Sequence, residues 1–397
     1  MVRPARVLSL YEGFFAGGAR ILHTDVMAGL HRHGHQRHSV LSLTSRMQRE
    51  STVQEIADDP RYQQLVAAGV QVSSLGRTGR GEPAPDGFTD AEIGIAARAV
   101  QDADLILSLK EQPLGILLAL QARGLMPDIP VAVCLHRSDP MHSGPALRRL
   151  ADAAAAGLVS ATISCAQATD DAYGRAGVSA AKRFVIANGI DIGRFRPATK
   201  PERLATRESL GIPPRAPVVV FAARFDAMKN PGLFLRAVAR HRVQRPGAHY
   251  VLCGAGMTWD NPAFRALAAE SGVRPAPEVH ALGIRRDMPA IYQIADIVAL
   301  TSAFGEASPL CLIEGAACGA TPTTTDVGDA AAQIEGFGVV TAPDEHLIAA
   351  AWTGILDRRR SLRRRALAAR PRLDRSRMLD AYDAVSGTLL RREEAAA

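Results

Sequence analysis

Four short groups of residues have types and spacings that could do chemistry. Arg224 and Lys229 lie just past the apolar run Val218–Ala222 and just before Asn230-Pro231, a helix-start signal. Two cations at a strand end sit where a phosphate would be held, unless they are only exposed surface charge. Glu306 and Glu314 flank the start of an apolar, helix-length segment, Pro309–Cys318. A carboxylate inside such a helix must be solvated or hold a partner, such as a pair of sugar hydroxyls. Asp and Glu make up 40 of the 397 residues, so acidic pairs at any one spacing arise by chance and the spacing alone decides nothing. Gly17-Gly18 falls between a short apolar run and a helical pattern. Glycines there let backbone approach a ligand, and the helix start offers free N–H groups to an anion. Asn188-Gly189-Ile190-Asp191 reads alone as a turn.

The elements that must position these groups alternate. Strands are predicted at Arg6–Leu10, Ser39–Thr44, Val70–Leu75, Leu105–Leu109, Val131–Leu135, Ser160–Ser164 and Phe184–Ala187. A second series follows at Val218–Ala222, Tyr250–Cys253, Val279–Leu282, Ile297–Leu300 and Thr321–Thr324. Helices are predicted at Ala19–Arg32, Pro231–Arg242, Asn261–Ser271, Asp287–Ala295, Pro309–Cys318 and Met378–Arg391, with loops at Arg46–Pro60 and Gly76–Gly87. Alternation of this kind implies parallel sheets with helices on both faces. The strands are too many for one doubly wound sheet, and the Pro-rich stretch Arg194–Pro217 reads as a linker. The simplest fold class is α/β, two Rossmann-like domains facing each other across a cleft, with ligands at the carboxyl ends of the strands.

Composition narrows the classes. The chain is 47% hydrophobic and 22% charged, ordinary globular usage that excludes wholesale disorder. No apolar run approaches the roughly 20 residues that span a bilayer, and Val7–Leu10 is too short for a secretory leader. Five scattered Cys without a C-x-x-C predict reduced thiols in a cytoplasmic protein. The net charge of +7 fits either an anionic small molecule or nucleic acid.

Taken together and in order, the four groups closely resemble the GT-B glycosyltransferases of family 4. That family carries a Gly-Gly loop after the first strand, an N-G-[IV]-D turn, an R-x-x-x-x-K pair, and an E-x7-E segment followed by A-x-G-x-P. The last reads here Gly315-Ala316-Ala317-Cys318-Gly319-Ala320-Thr321-Pro322. Gly34-His35 and Leu282-Gly283 also match, whereas Ala307 stands where the family usually has Gly. The resemblance implies a retaining, metal-independent hexosyltransferase using a UDP-sugar, with no cofactor. The implied domains are 1–193 for the acceptor, 194–375 for the nucleotide sugar, and a final helix, 376–397, returning to the first.

The roles it implies are these. Arg224, Lys229, the Gly17-Gly18 amides and the helix start at Leu310 and Cys311 stabilise the leaving diphosphate. Glu314 takes both ribose hydroxyls, and backbone at Ile284 reads the base. Glu306 and His136 hold the donor sugar. The acceptor site is read from the loops after the first-domain strands, where Glu12, Glu111 and Asp139 would suit a cationic acceptor. The opening segment Ser9–His23 looks like glycosyltransferases of aminoglycoside antibiotic pathways, which act on an aminocyclitol core. Partners are then small molecules, without nucleic acid or a membrane span; the oligomeric state is not read from sequence.

Three features compete. Asp102-Ala103-Asp104 is a D-x-D, a metal signature of the other glycosyltransferase fold, placed at a helix end. His31, His33, His35 and His38 resemble a metal tract, but only His31 and His35 share a helix face. The Arg358–Arg377 run could bind RNA, yet it lacks aromatic residues for stacking. The other readings of the whole chain are a transferase of another glycoconjugate or cell-envelope pathway, a UDP-sugar epimerase of the same fold, and a non-catalytic nucleotide-sugar sensor.

Overall fold

The computed structural model describes residues 3–15, 17–49, 52–78 and 85–391. The chain divides into two units, Met1–Asn188 with Ser376–Ala397, and Gly189–Arg375.

The first unit holds strands β1 (Ala5–Tyr11), β2 (Gln36–Arg49), β3 (Thr52–Glu55), β4 (Gln71–Thr78), β5 (Leu105–Leu109), β6 (Val131–Leu135), β7 (Ala161–Ser164) and β8 (Lys182–Val185). They form one sheet in the order β3-β2-β1-β5-β6-β7-β8, with β4 also on β2. All pairs are parallel except β2 with β3. Runs such as Leu105–Leu109 and Val131–Leu135 are buried along their whole length, as strands covered on both faces must be. Leu8, Leu10, Val131 and Val133 pack against the helices Asp90–Gln101 and Pro145–Ala155. Successive strand residues point to opposite faces, so Ser9, Tyr11, Cys134 and His136 belong to the other face.

The second unit holds β9 (Val218–Ala222), β10 (His249–Cys253), β11 (Val279–Gly283), β12 (Ile297–Leu300), β13 (Thr321–Thr325) and β14 (Val339–Thr341). Their order is β11-β10-β9-β12-β13-β14, wholly parallel. This is the doubly wound dinucleotide-fold order, which reverses between β9 and β12 and opens a ligand crevice there. In the first sheet the corresponding reversal lies between β1 and β5.

Four expectations need correction. Arg194–Pro217 is not a bare linker: it contains the helix Lys200–Ser209, started by a reciprocal Thr199/Glu202 capping box. Four prolines masked a signal that Thr-x-x-Glu states locally. Arg46–Pro60 is not a loop throughout: the end of β2 pairs antiparallel with β3, with Arg46 opposite Glu55, and Ile56–Asp58 is a 3-10 turn. The stretch Gly76–Gly87 begins as strand to Thr78, and 79–84 lies outside the described residues. The division at Asn188/Gly189 also falls earlier than 193/194, because Ile190 N–H and C=O bond Leu373 and Arg375 within the second unit. The closing helix is Arg375–Leu390; its Leu379 abuts Gly29, and Gln36 donates to Asp383 at 2.6 Å.

Candidate functional site

In the second unit the residues gather at the carboxyl ends of β9 and β12. Arg224 follows β9, is half-exposed, and pairs with Asp226 at 2.8 Å. Asp226 also accepts from the Lys229 backbone N–H at 3.0 Å, turning the chain so that Lys229 faces the loop after β12. There its ammonium contacts the carboxylate of Glu306, which is buried. Ser302 donates to the same carboxylate oxygen. Asn230 takes a left-handed φ of 48° and caps the helix Pro231–Gln244 through Leu233 N–H at 3.2 Å. Gly254, at the end of β10, has φ 142°, and a Cβ there would lie 1.9 Å from the Ala223 carbonyl oxygen. That close backbone approach sets the path of the Arg224 loop, and nothing in the local sequence announces it.

Leu310 and Cys311 open the helix Leu310–Cys318, whose first turn has no side-chain cap and no acidic residue. Its free N–H groups and dipole suit an anion. Glu314 lies one turn further in. Burial pushes its carboxyl up to about 7, opposed by a hydrogen bond with Tyr292 and by Arg194. Ile284, past β11, is 75% exposed, an unusual state for a large apolar residue at a strand end. Arg224, Lys229 and Glu306 therefore form one cluster, while Glu314 stands on the helix that follows β12 and Ile284 follows the edge strand β11.

The first unit places its residues at the ends of β1, β5 and β6. Glu12 follows β1 and pairs with Arg20 at 3.3 Å. The buried Arg20 also donates through Nε to the Gly13 carbonyl at 2.6 Å and lies over the Phe15 ring. Gly17 has φ 169°, an extended backbone open to any residue, and a Cβ there would meet only the Arg20 side chain. Gly18 starts the helix Gly18–His33. The fold itself thus places no demand for glycine at 17.

Glu111 is fully buried; Ser143 Oγ donates to its Oε1, and Oε2 has no partner. Asp139 caps the turn Pro140–Ser143 through Met141 N–H at 3.2 Å and pairs with His142 at 2.8 Å. Of the three acceptor-side carboxylates, Glu12 and Asp139 are thus ion-paired, whereas Glu111 has one oxygen hydrogen-bonded and one bare. His136 keeps a buried, unpartnered Nε2, and burial with Lys110 nearby pulls its pKa down to about 3. It is a neutral imidazole. Behind it His23 is buried with both ring nitrogens unpartnered, its pKa also lowered to about 3.

Lys110 escaped the sequence reading. It sits at the end of β5 with φ 69°, a left-handed conformation that costs a lysine about 1–3 kcal/mol. Its N–H bonds the Cys134 carbonyl at 2.9 Å, and its carbonyl accepts from Ser108 Oγ at 2.8 Å. Burial lowers its pKa to about 8, helped by Arg20 and Arg137 and opposed by Glu111 and Glu12. A lysine directly before the glutamate Glu111 was the available signal.

The competing features resolve into structure. Asp104 is consumed by the Arg6 N–H at 2.8 Å and by Arg3 at 2.8 Å, fastening β1. His31 Nδ1 accepts from His38 N–H at 3.0 Å, and His38 bonds Gln36 at 3.0 Å, so these two histidines tie the helix Gly18–His33 to β2. Among the described residues no three His, Cys, Asp or Glu side chains are grouped to hold a metal ion, and no helix is long and apolar enough to cross a membrane. All five cysteines are buried and unbridged.

These two sheets define the class: the fold is the two-domain α/β fold of the GT-B glycosyltransferases. It matches the Anabaena protein HepE, solved with UDP-glucose, at a TM-score of 0.77 and 22% identity, over 96% of this chain and 99% of that one. Sucrose-phosphate synthase from Thermosynechococcus elongatus matches at a TM-score of 0.71 and 18% identity, over the full length of both chains. At these identities the likeness is one of fold.

Residues 216–358, within the second unit, match the model of the family described as glycosyl transferases group 1. Among curated proteins, D-inositol 3-phosphate glycosyltransferase of Salinispora arenicola is 34% identical over 155 residues, 36% of this chain and 34% of that protein. The same-named protein of Corynebacterium kroppenstedtii is 30% identical over 166 residues, 38% of this chain and 37% of that one. The match thus spans about a third of the length of these relatives.

Proposed function

We propose that this protein is a retaining, metal-independent glycosyltransferase that moves a hexosyl group from a UDP-sugar to a hydroxyl of a small polar acceptor. The observation that carries this reading is the cluster of Arg224, Lys229 and Glu306 at the switch point between β9 and β12, beside the uncapped helix start at Leu310. As the glycosidic bond breaks, charge grows on the leaving diphosphate, and preorganised cations and N–H donors lower that barrier without a divalent ion. Lys229 keeps two ammonium hydrogens for a phosphate after bonding Glu306. Arg224 is held by Asp226 until a phosphate competes for it. The carboxylates of Glu306 and Glu314 accept from donor-sugar and ribose hydroxyls. Gly17 and Gly18 add backbone donors, and Ile284 marks the base position. His136, as a neutral imidazole, bonds a sugar hydroxyl.

The acceptor oxygen forms the new bond on the face the diphosphate leaves, and its proton passes to the leaving phosphate oxygen. A non-catalytic sensor would have no need of the paired Lys229 and Glu306. An epimerase would turn over donor without acceptor. A cytoplasmic setting belongs to the same proposal.

The acceptor has two readings. An aminocyclitol, as in aminoglycoside pathways, would place an ammonium on the unpartnered Oε2 of Glu111. A phosphorylated cyclitol, the substrate class in the names of the curated relatives, is supported by Lys110, which with Arg20 and Arg137 sets three cations beside Glu12 and Glu111. The deciding experiment is a UDP-sugar screen with mass detection against aminocyclitol, cyclitol phosphate and neutral cyclitol acceptors, in excess EDTA. Transfer at full rate in EDTA is expected; activity lost there and restored by Mg²⁺ or Mn²⁺ would overturn the mechanism.

A further inference from the structure

At the amino ends of β9 and β12, the opposite edge of the sheet from Arg224, one buried carboxylate is surrounded by guanidinium groups. Asp296 is buried, and its Oδ2 accepts from Val218 N–H at 2.9 Å. Arg359 Nε reaches its Oδ1 at 2.6 Å, Arg203 Nη2 the same oxygen at 3.4 Å, and Arg207 Nη2 lies 3.9 Å from Oδ2. Arg363, one turn beyond Arg359, donates to the Gly319 carbonyl at 3.1 Å and feels both Asp296 and Arg359. Two of these arginines come from the helix Lys200–Ser209 and two from the helix Arg359–Ala368.

Four guanidinium groups around one carboxylate leave a surplus of positive charge that Asp296 cannot balance. Arg207 is accounted for: it is buried and donates to the Pro213, Ala216 and Ile294 carbonyls. Arg359 is the nearest donor to Oδ1, and Arg203 and Arg363 each donate to one backbone carbonyl, of Gln293 at 2.8 Å and of Gly319, so each of these three planar groups keeps N–H donors that Asp296 does not use. Burial and mutual repulsion hold Arg203, Arg207 and Arg363 below the usual arginine range. Arg203 remains 21% and Arg359 41% exposed, so both can turn donors outward. A planar fork matches the oxygens of a phosphoryl group, and an added anion would relieve the repulsion.

We propose that Arg203, Arg359 and Arg363 form a second anion site, for a phosphoryl group, at the amino edge of the second sheet and separate from the donor site. The phosphoryl group could belong to a free phosphate ester or diphosphate, or to an anionic lipid headgroup. The Arg-rich run is then a recognition element rather than a solvated face.

The test is calorimetric titration of the full chain with pyrophosphate at fixed ionic strength, with sodium chloride as control. Four forms are compared: wild type, Arg224→Ala/Lys229→Ala, and that double variant carrying in addition Arg359→Gln or Arg363→Gln, so that the donor site does not mask the second one. Binding should persist in Arg224→Ala/Lys229→Ala and weaken about tenfold or more in each Gln variant, the scale of one lost charge-assisted hydrogen bond. A melting curve for each variant confirms folding, and Arg359→Lys, which keeps the charge but not the fork, should fall between. In a second arm, sedimentation with phosphatidylglycerol vesicles reads the lipid source. Retention that Arg359→Gln abolishes and pyrophosphate competes away supports the site with a membrane ligand. Pyrophosphate binding that vanishes in Arg224→Ala/Lys229→Ala, or that ignores Arg359→Gln and Arg363→Gln, overturns the proposal. A response that sodium chloride alone reproduces also overturns it.

Discussion

The loops at the two switch points, after β9 and after β5, occupy corresponding places in their sheets and are built differently. Each contains a non-glycine residue with positive φ, Asn230 in one and Lys110 in the other, and among the described residues there are no others. Asn230 has a local reason: asparagine tolerates the left-handed region and its side chain caps the next helix. Lys110 has none, since its side chain caps nothing. Around Asn230 the charged groups are mutually paired, Arg224 with Asp226 and Lys229 with Glu306. Around Lys110 buried polar atoms stand without partners, on Glu111, His136 and His23. A site whose charges are already balanced is preorganised for a ligand of fixed chemistry. A site with strain and unsatisfied atoms has its partners supplied from outside. Under the proposed function, the contrast favours the second unit for the donor diphosphate and the first for the acceptor.

The sharpest way to break that contrast is to remove a paired cation. Arg224→Ala or Lys229→Ala should each lower kcat about 10²–10³-fold, the scale for one preorganised charge-stabilising donor. Steady-state transfer assays check this, with melting curves to confirm the fold. Near wild-type kcat in either variant would remove the diphosphate assignment.

A smaller effect should separate the two acceptor readings. Lys110→Met should raise KM for a cyclitol phosphate about tenfold or more and leave an aminocyclitol unaffected, whereas Glu111→Gln should do the reverse. Donor affinity should not move in either. Asp139→Asn, which breaks a cap and an ion pair, should shift KM less than Glu111→Gln if the present partners of Asp139 are its whole role. Equal effects of Lys110→Met on both acceptors would mean that the strained lysine serves the backbone and not the substrate.

The smallest expected effect is a pH dependence of donor binding. Glu314 has its carboxyl raised to about 7, so below that pH it is protonated and can accept from ribose less well. UDP affinity should therefore rise with pH, up to about tenfold between pH 6 and 8, as the ionised form fills. Glu314→Gln should bind more weakly at pH 8 and show a flat profile. Calorimetric titration at several pH values reads this, and a wild-type profile that is flat or falls over that range would contradict the ribose role.

Much of this architecture was legible locally. Leu105–Leu109, Val131–Leu135, Val218–Ala222 and Ile297–Leu300 are continuous apolar runs, and each is a strand over those residues. Burial on both faces leaves no polar alternation to blur them. The strands that failed to show, β3 and β14, are short and partly exposed, so composition does not mark them. The positions of Arg224, Lys229 and Glu306 at a strand end, a helix start and a turn follow from local rules, whereas the roles given them came from the family resemblance.

What the amino-acid order determined by itself was the alternation of strand and helix and, through it, which residues stand at strand ends. Those outcomes depend on periodicity and capping within a few residues. Only the tertiary structure decided which strand ends are neighbours. Parallel strands joined by crossovers put Lys229 beside Glu306, 77 positions apart, and Arg203 beside Asp296, 93 apart. It also decided that Glu12 and Asp139 are engaged while Glu111 keeps a bare oxygen, and that Lys110 is strained. Pairing and burial are properties of the packed sheet, and no local pattern encodes a contact between segments so far apart.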